Sequence, residues 1–489
     1  MKPLLVLLAA LMLGQHVQAA PANIQDSFLT GFKGPFPTLG GYAGTEISST
    51  VPLLYQNDWD VNYLGKAADD WSSKCIDMVY KANEFQAKVV NFMVTMYWVD
   101  ANYDGTVDNY CHKIRWGEGC PKVNKLAIDR FRFGLQWCLA KAVELGLDIA
   151  ITPHLDDGLE MGGWRNALVF DPLVKYGNFS YYDVMLRPIT QALNAVITHD
   201  TQVMLAMQGE MSATVVRYPR SWTSLVSRLK NDIVTLRDDA DQLMPNLKVG
   251  VSTNFNKLCA CVLMDLVDPT QYLTLLPEAM KAVNSQFNKT AIVELYNTVD
   301  LIGISSYAAL KPAFKLDDLE EAIWQFDEEL KQFGPNLKDL IQNQGKALIL
   351  SEYGVGGGVH QNGSVPAKTA AEAAQFPFFG IWGSYSPAID PWNTTAPEDK
   401  HIEVRDWRRR FYKETSRWLM DGGGSRYRVD GLYLWSLASW DVQAIHYASS
   451  SSEGSYRDPI IAATITQHNK YVHSPYRRRA HRRRTLKRM

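Results

Sequence analysis

The 489-residue sequence predicts an α/β fold, a single (β/α)8 or TIM barrel with long loops at one rim. Eight short apolar segments alternate with helical patterns over roughly 430 residues, which is the repeat of this fold. The segments are apolar throughout instead of alternating with polar residues, as is typical of parallel strands covered by helices. No Gly-x-Gly-x-x-Gly follows an early strand, so a dinucleotide-binding sheet has no support.

The two ends of the chain differ in composition from the predicted barrel. Residues 1–20 have a basic start, an apolar run and small residues near a cut site, so we expect a secretory signal peptide. The barrel is predicted over residues 30–460. Eight Lys and Arg side chains crowd the end of residues 465–489, a tail that we expect to be disordered and that could contact an anionic wall or membrane surface. Without these eight cations the formal charge of −2 becomes −10, so the body is mildly acidic.

The elements follow in order. Strands are predicted at residues 39–47, 87–97, 148–152, 202–207, 247–253, 299–305, 347–350 and 429–435. Helices are predicted at residues 71–86, 123–145, 269–287, 319–341 and 402–420, and apolar positions from 225 to 243 keep helical spacing on one face. Gly146 supplies a helix stop signal before the third strand.

The chain has the features of an exported protein. Its six cysteines suggest disulfides, and Cys111 and Cys120, which bracket a polar loop, are the first pair we expect. Four Asn-x-Ser/Thr sequons are potential glycosylation sites. No apolar run is long enough to span a bilayer, so we predict a secreted or extracellular protein, with the cell wall as one location.

Several polar and aromatic residues fall at the predicted strand ends, which meet at one rim of a parallel barrel. They are His154, Asp156, Asp157, Glu210, Asn254, Tyr307, Glu352 and Trp435, with Trp98 just beyond the second strand. Glu210 ends strand four and Glu352 ends strand seven, so their carboxyl groups can face each other across a bound bond. Glycoside cleavage needs two such groups, about 5–5.5 Å apart for retention and about 6.5–9.5 Å apart for inversion.

These motifs resemble those of the large clan of retaining (β/α)8 glycoside hydrolases that includes endoglucanases and β-mannanases. Three segments are most similar to a β-mannanase-like branch: Gln208-Gly209-Glu210-Met211-Ser212, residues 300–307 and Leu350-Ser351-Glu352-Tyr353-Gly354. The resemblance implies that Glu210 is the acid/base, Glu352 the nucleophile, Tyr307 its hydrogen-bond donor and Trp435 an apolar floor for the sugar. His154, Asn254 and Trp98 are further candidate substrate contacts.

The sequence departs from the pattern of this clan at three points. Relatives usually carry Asn before the strand-four Glu, where it binds the sugar 2-hydroxyl, and here Gly209 stands in that place. Gln208 or Asn254 could substitute for it. Ser305 stands where relatives often have His, and an Arg expected near the early strands is not evident.

We therefore predict a secreted, monomeric, metal-independent glycosidase without a cofactor, acting on a β-1,4-linked polysaccharide, with mannan before glucan, and with no nucleic-acid partner. One alternative is a carbohydrate-binding barrel that has lost catalysis, which Gly209 motivates. The other is a metal-dependent barrel hydrolase, because His154, Asp156 and Asp157 are residue types that bind divalent ions.

Overall fold

Eight parallel strands close into a barrel in this computed structural model. The structure describes residues 44–63, 71–102, 104–115, 117–161, 163–259, 269–356, 369–375, 377–378, 399–420, 422–424, 426–437, 444–446 and 457–474. The barrel strands, β1 to β8, are Ile47–Leu53, Val89–Val99, Asp148–Ile151, Val203–Gly209, Leu247–Asn254, Leu301–Ser306, Ala347–Tyr353 and Gly431–Leu434. Each strand pairs in parallel with its neighbours in the chain, and β8 pairs with β1. The predicted fold class is confirmed.

Helices cover the outside of the barrel. The longer ones, α1 to α9, are Lys74–Glu84, Lys125–Glu144, Arg187–Val196, Pro219–Val234, Pro269–Val283, Lys289–Thr298, Glu321–Lys331, Asp399–Met420 and Pro459–Val472. Short helices occupy Gln56–Trp59, Tyr182–Leu186, Ser212–Arg217, Ala240–Leu243, Met244–Asn246, Asn284–Gln286, Leu316–Glu320, Leu337–Gln342 and Ala370–Gln375. Short strands occupy Asn62–Tyr63, Trp71–Ser72, Asn109–Cys111, His154–Asp157, Lys175–Tyr176 and Phe179–Ser180.

Two apolar layers hold the barrel together. The larger layer lies between strands and helices, where β-branched and Leu side chains are buried. A smaller, separate cluster draws side chains from six strands, so it can only lie inside the barrel: Val89, Ala150, Met204, Ala206, Leu301, Ala347, Ile349 and Tyr433. Small residues are needed here, since a Cβ on Gly250 would lie 1.9 Å from the Leu301 carbonyl oxygen. The interior is therefore packed, and binding is left to the rim.

Two elements were predicted in the wrong place. The first strand is Ile47–Leu53 instead of residues 39–47, because its buried Ser48, Ser49 and Thr50 hide the apolar pattern. The helix predicted at 319–341 is interrupted after Lys331, since Gly334 adopts a φ of +108° that a continuous helix excludes. The other strands agree with prediction to within two residues at their starts.

The helix α9 belongs to the barrel. Asn469 accepts a hydrogen bond from the Ile47 backbone N–H and donates to the carbonyls of Ile47 and Phe85. These bonds tie the end of the described chain to the start of β1. The tail predicted from residue 465 thus begins inside a helix that continues to Val472, while residues 475–489 and the predicted signal segment 1–20 lie outside the described residues.

One disulfide ties together the segments on either side of β2, and another closes the loop after it. Cys111–Cys120 is confirmed, and Cys75–Cys138, which was not predicted, joins α1 to α2. Two of the four sequon asparagines, Asn178 and Asn288, are described and exposed. Among the described helices, none combines the length and apolarity needed to cross a membrane.

Candidate active site

Glu210 lies directly after β4, in a backbone conformation that side chains rarely adopt. Its φ is +58°, a left-handed value that costs a residue with a Cβ about 1–2 kcal/mol. Hydrogen bonds impose it: the Gly209 N–H donates to the Pro153 carbonyl, and the Glu210 N–H donates to the Ser252 carbonyl. A strained residue held by its surroundings is typical of functional sites. The carboxyl group is thereby fixed at the rim with only 6% of the residue exposed.

The carboxyl group of Glu210 is surrounded by polar donors. Arg165 Nη2 donates to its Oε2 at 3.0 Å, and Asn254 Nδ2 donates to its Oε1 at 3.0 Å. Arg165 also donates to Asp156 Oδ1 at 2.6 Å. Burial opposes the charged guanidinium, but Asp156 and Glu210 outweigh it and raise the pKa of Arg165. Arg165 is therefore a fixed cation between the carboxyl groups of Asp156 and Glu210.

The carboxyl group of Glu352, in β7, is contacted by two uncharged side chains. Tyr307 donates its hydroxyl to Oε2 at 3.0 Å, and His154 Nε2 lies 2.7 Å from Oε1. Burial raises the pKa of Glu352 to about 7, against the opposing effects of the Arg165 charge and the Tyr307 hydrogen bond. Because only 4% of the residue is exposed, water does little to stabilise its anion.

His154 connects this carboxyl group to an aromatic surface. Its ring stacks on Trp435, with centroids 5.9 Å apart and planes 19° apart. Burial lowers the pKa of His154 to about 3, and the Arg165 charge acts in the same direction. The imidazole is therefore neutral, with one nitrogen able to donate and the other to accept. The peptide bond that follows Trp435 is cis.

Six of the seven predicted site residues lie in one cluster at the carboxyl ends of the strands: His154, Glu210, Asn254, Tyr307, Glu352 and Trp435. Arg165 binds Glu210 directly, and its positive charge opposes the rise in the pKa of Glu352 that burial causes. The seventh, Trp98, stays outside: it is 3% exposed and packs beneath Gly163. The sequence placed Trp98 just beyond the second strand and so at the rim, but the residue lies inside β2, and Gly163 packs against its ring.

The three residues predicted as possible metal ligands do not converge. His154 faces Glu352, and Asp156 binds Arg165. Asp157 accepts hydrogen bonds from the backbone N–H groups of Leu159, Met161 and Gly163. Within the described ranges, no group of three His, Cys, Asp or Glu side chains has metal-binding geometry.

Arg165 is the functional residue that the sequence did not reveal. An Arg was sought near the early strands, but this one lies beyond the third, in the segment that follows Asp157. A cation shortly after an acidic pair at a strand end was the available signal. Its neighbour Trp164 lies under the Lys257 ammonium, 4.2 Å from nitrogen to ring centroid, so a second cation stands beside this segment.

No protein-family model matches this sequence, and no curated protein is significantly similar to it. Solved structures with a related fold include a GH113 β-1,4-mannanase, at 12% identity and a TM-score of 0.44, covering 87% of this chain and 99% of the other. Another is a GH113 β-mannanase from Alicyclobacillus acidocaldarius, at 14% identity and a TM-score of 0.45, covering 88% and 98%. A GH5-4 endoglucanase from an uncultured bacterium has 11% identity and a TM-score of 0.41, covering 87% and 94%. At these values the similarity extends no further than the general fold.

Proposed function

We propose that this protein is a secreted retaining glycoside hydrolase that cleaves a β-linked polysaccharide. One observation carries the proposal: two buried glutamates, Glu210 and Glu352, lie at the carboxyl ends of β4 and β7 of the same barrel, and His154 lies against both Gly209, which precedes Glu210, and Glu352. A pair of carboxyl groups at this rim is the chemical requirement for glycosidic cleavage.

In the first step, Glu210 donates its proton to the glycosidic oxygen while a carboxylate oxygen of Glu352 attacks the anomeric carbon. The C–O bond to the leaving sugar breaks, and a covalent glycosyl-enzyme ester forms on Glu352. In the second step, Glu210, now a carboxylate, takes a proton from water as the water oxygen attacks the same carbon. The ester breaks, the sugar leaves with its original configuration, and both glutamates return to their starting states.

The neighbours of the glutamates suit these roles. Tyr307 donates to Glu352 and favours its anion, which the attack requires. Asn254 and Arg165 hold Glu210 in a single orientation toward the rim. Trp435 offers an apolar ring beside His154, and aromatic rings of this kind stack on the C–H faces of sugars.

A buried polar atom at the site supports a polyhydroxylated substrate. Asn254 Oδ1, on the same amide that donates to Glu210, has no hydrogen-bond partner in the part of the chain that the structure describes. A sugar hydroxyl can donate to this amide oxygen. Resemblance of the strand-end motifs favours β-1,4-mannan first and glucan second, and the disulfides fit an extracellular enzyme.

The second candidate is a carbohydrate-binding barrel without catalysis, which Gly209 favours because it lacks the side chain that relatives place on the sugar 2-hydroxyl. One experiment separates the two functions. The purified protein is incubated with mannan, glucomannan, carboxymethylcellulose and xylan, and reducing ends are measured beside Glu352→Gln. Turnover that Glu352→Gln abolishes supports the enzyme. Binding without turnover supports the second candidate, and equal turnover by both proteins contradicts the role of Glu352.

A further inference from the structure

The space that a side chain at position 209 would need is already occupied by His154 and Thr152. A Cβ placed on Gly209 would lie 2.5 Å from His154 Cδ2, 2.6 Å from His154 Nε2 and 2.7 Å from Thr152 Cγ2. Contacts this short do not occur in folded proteins, so a side chain at position 209 and the present imidazole exclude each other.

The imidazole of His154 has little room to give way. Trp435 stacks on its ring, Gly209 and Thr152 lie along one edge, and Glu352 Oε1 faces Nε2. The residue is 1% exposed. The charged groups acting on it are Arg165, Asp156 and Glu210, in addition to the facing Glu352. An uncharged ring held so tightly supplies a hydrogen-bonding nitrogen at one fixed point.

We propose that His154, whose ring occupies the space a side chain at position 209 would need, positions Glu352. With the proton on Nε2, the imidazole donates to Glu352 Oε1 while Tyr307 donates to Oε2, so both oxygens of the carboxylate have a donor. The expected effect on turnover rests on the proposed function, whereas the contact with Glu352 does not. His154 is thus a positioning residue for Glu352.

In the structure, the hydrogen bond between His154 and Glu352 is close in distance but not aligned. His154 Nε2 and Glu352 Oε1 are 2.7 Å apart, yet the N–H direction does not meet hydrogen-bond geometry and both atoms lack a partner among the described side chains and backbone. Catalytic hydrogen bonds are often poorly aligned in the free enzyme and tighten when substrate binds.

A matched pair of variants tests whether Nε2 of His154 acts as a hydrogen-bond donor. His154→Gln keeps a side-chain N–H near the place of Nε2, and His154→Phe keeps a ring without a donor. We expect His154→Phe to lower kcat about 10²-fold or more with a smaller change in KM, and His154→Gln to recover most of that loss. Equal activity of His154→Phe and the wild type overturns the proposal.

A second pair of variants tests whether a side chain at position 209 and the ring of His154 compete for the same space. Gly209→Ala is expected to lower kcat in the wild-type background and to have little further effect beside His154→Gln, whose flexible side chain can move. In the control, Thr152→Ser removes the methyl that also faces position 209, and Gly209→Ala should remain as harmful beside it. Full additivity of Gly209→Ala with His154→Gln contradicts a shared space.

A readout independent of catalysis separates this inference from the proposed function. The pKa of Glu352 is followed by NMR of protein labelled with ¹³C at glutamate carboxyl carbons, with Glu352→Gln assigning the signal. His154→Phe should raise the pKa, because the carboxylate loses a donor, and His154→Gln should not. An unchanged pKa in His154→Phe refutes the contact even in an active enzyme. A raised pKa in a protein without turnover on any glycan retains the contact and refutes the proposed function.

Discussion

The two glutamates at the rim have opposite surroundings. Glu210 accepts hydrogen bonds from the cationic Arg165 and from Asn254, whereas Glu352 lies between the neutral His154 and Tyr307. Burial raises the pKa of Glu352 to about 7. A raised pKa by itself fits a proton donor, so the assignment of Glu352 as nucleophile depends on its place at the end of strand seven and on the hydrogen bond from Tyr307. Because their surroundings differ, Glu210 and Glu352 should respond differently to substitution and to pH.

The largest expected effects come from removing each carboxyl group. Glu352→Ala should bring activity on an aryl β-glycoside below detection, because no ester can form. Glu210→Ala should lower kcat about 10²–10⁴-fold, and less with a 2,4-dinitrophenyl leaving group, which needs no proton. Azide provides the control: it should give the α-glycosyl azide with Glu352→Ala and the β-glycosyl azide with Glu210→Ala. The reverse pattern exchanges the two roles.

The cation beside Glu210 is the next target. Arg165→Met removes both ion pairs and leaves Asp156 unpaired, so we expect kcat to fall about 10²-fold, as for loss of one fixed donor in an active site. Arg165→Lys should recover only part, since an ammonium cannot bridge two carboxylates in the same fork geometry. Arg115→Met, at an exposed surface pair, makes the same charge change and should leave kcat as it is. Normal kinetics in Arg165→Met would contradict a role for Arg165 in catalysis.

The pH dependence of kcat/KM tests the raised pKa directly, since this quantity reports the free enzyme. As nucleophile, Glu352 must be ionised. Activity should therefore decline about tenfold for each pH unit below roughly pH 7. If Glu352 were the proton donor, activity would instead be lost as the pH rises through that value. A plateau from pH 5 to 8 would contradict the buried environment described for Glu352.

A smaller effect concerns stability and requires no substrate. The pKa of Glu352 rises from its ordinary 4.5 to about 7 on folding, so the native state binds more protons and loses stability as pH rises through this window. Glu352→Gln should therefore raise the free energy of unfolding by about 2–3 kcal/mol at pH 8 and by little at pH 4. Denaturant titration measures both values. The exposed Glu278→Gln is the control and should show no such pH dependence.

The sequence was sufficient for the parts of the molecule that depend on local pattern. Apolar runs located seven of the eight strands, and the first was missed because its buried Ser48, Ser49 and Thr50 look polar. Placing a residue such as Tyr307 at the end of a strand also brought it to the rim, where it meets Glu352.

The remaining features depend on contacts between segments that are distant in the chain. Arg165 reaches Glu210 from the segment after β3, and no spacing rule connects the two. In the sequence, Gly209 is only the absence of a side chain that relatives have. The position of His154 explains why no side chain fits there. Cys75 and Cys138 are likewise 63 residues apart and were not paired in advance.

The most direct test of the central claim is to trap the intermediate and identify the residue that carries it. A 2,4-dinitrophenyl 2-deoxy-2-fluoro-β-mannoside or β-glucoside forms the glycosyl-enzyme quickly but releases it slowly, so the label accumulates. Proteolysis and mass spectrometry should then find one fluorosugar on the peptide that contains Glu352, and none in Glu352→Gln. A label on Glu210, or turnover of polysaccharide with inversion and no labelled peptide, would contradict the assignment of Glu352 as nucleophile.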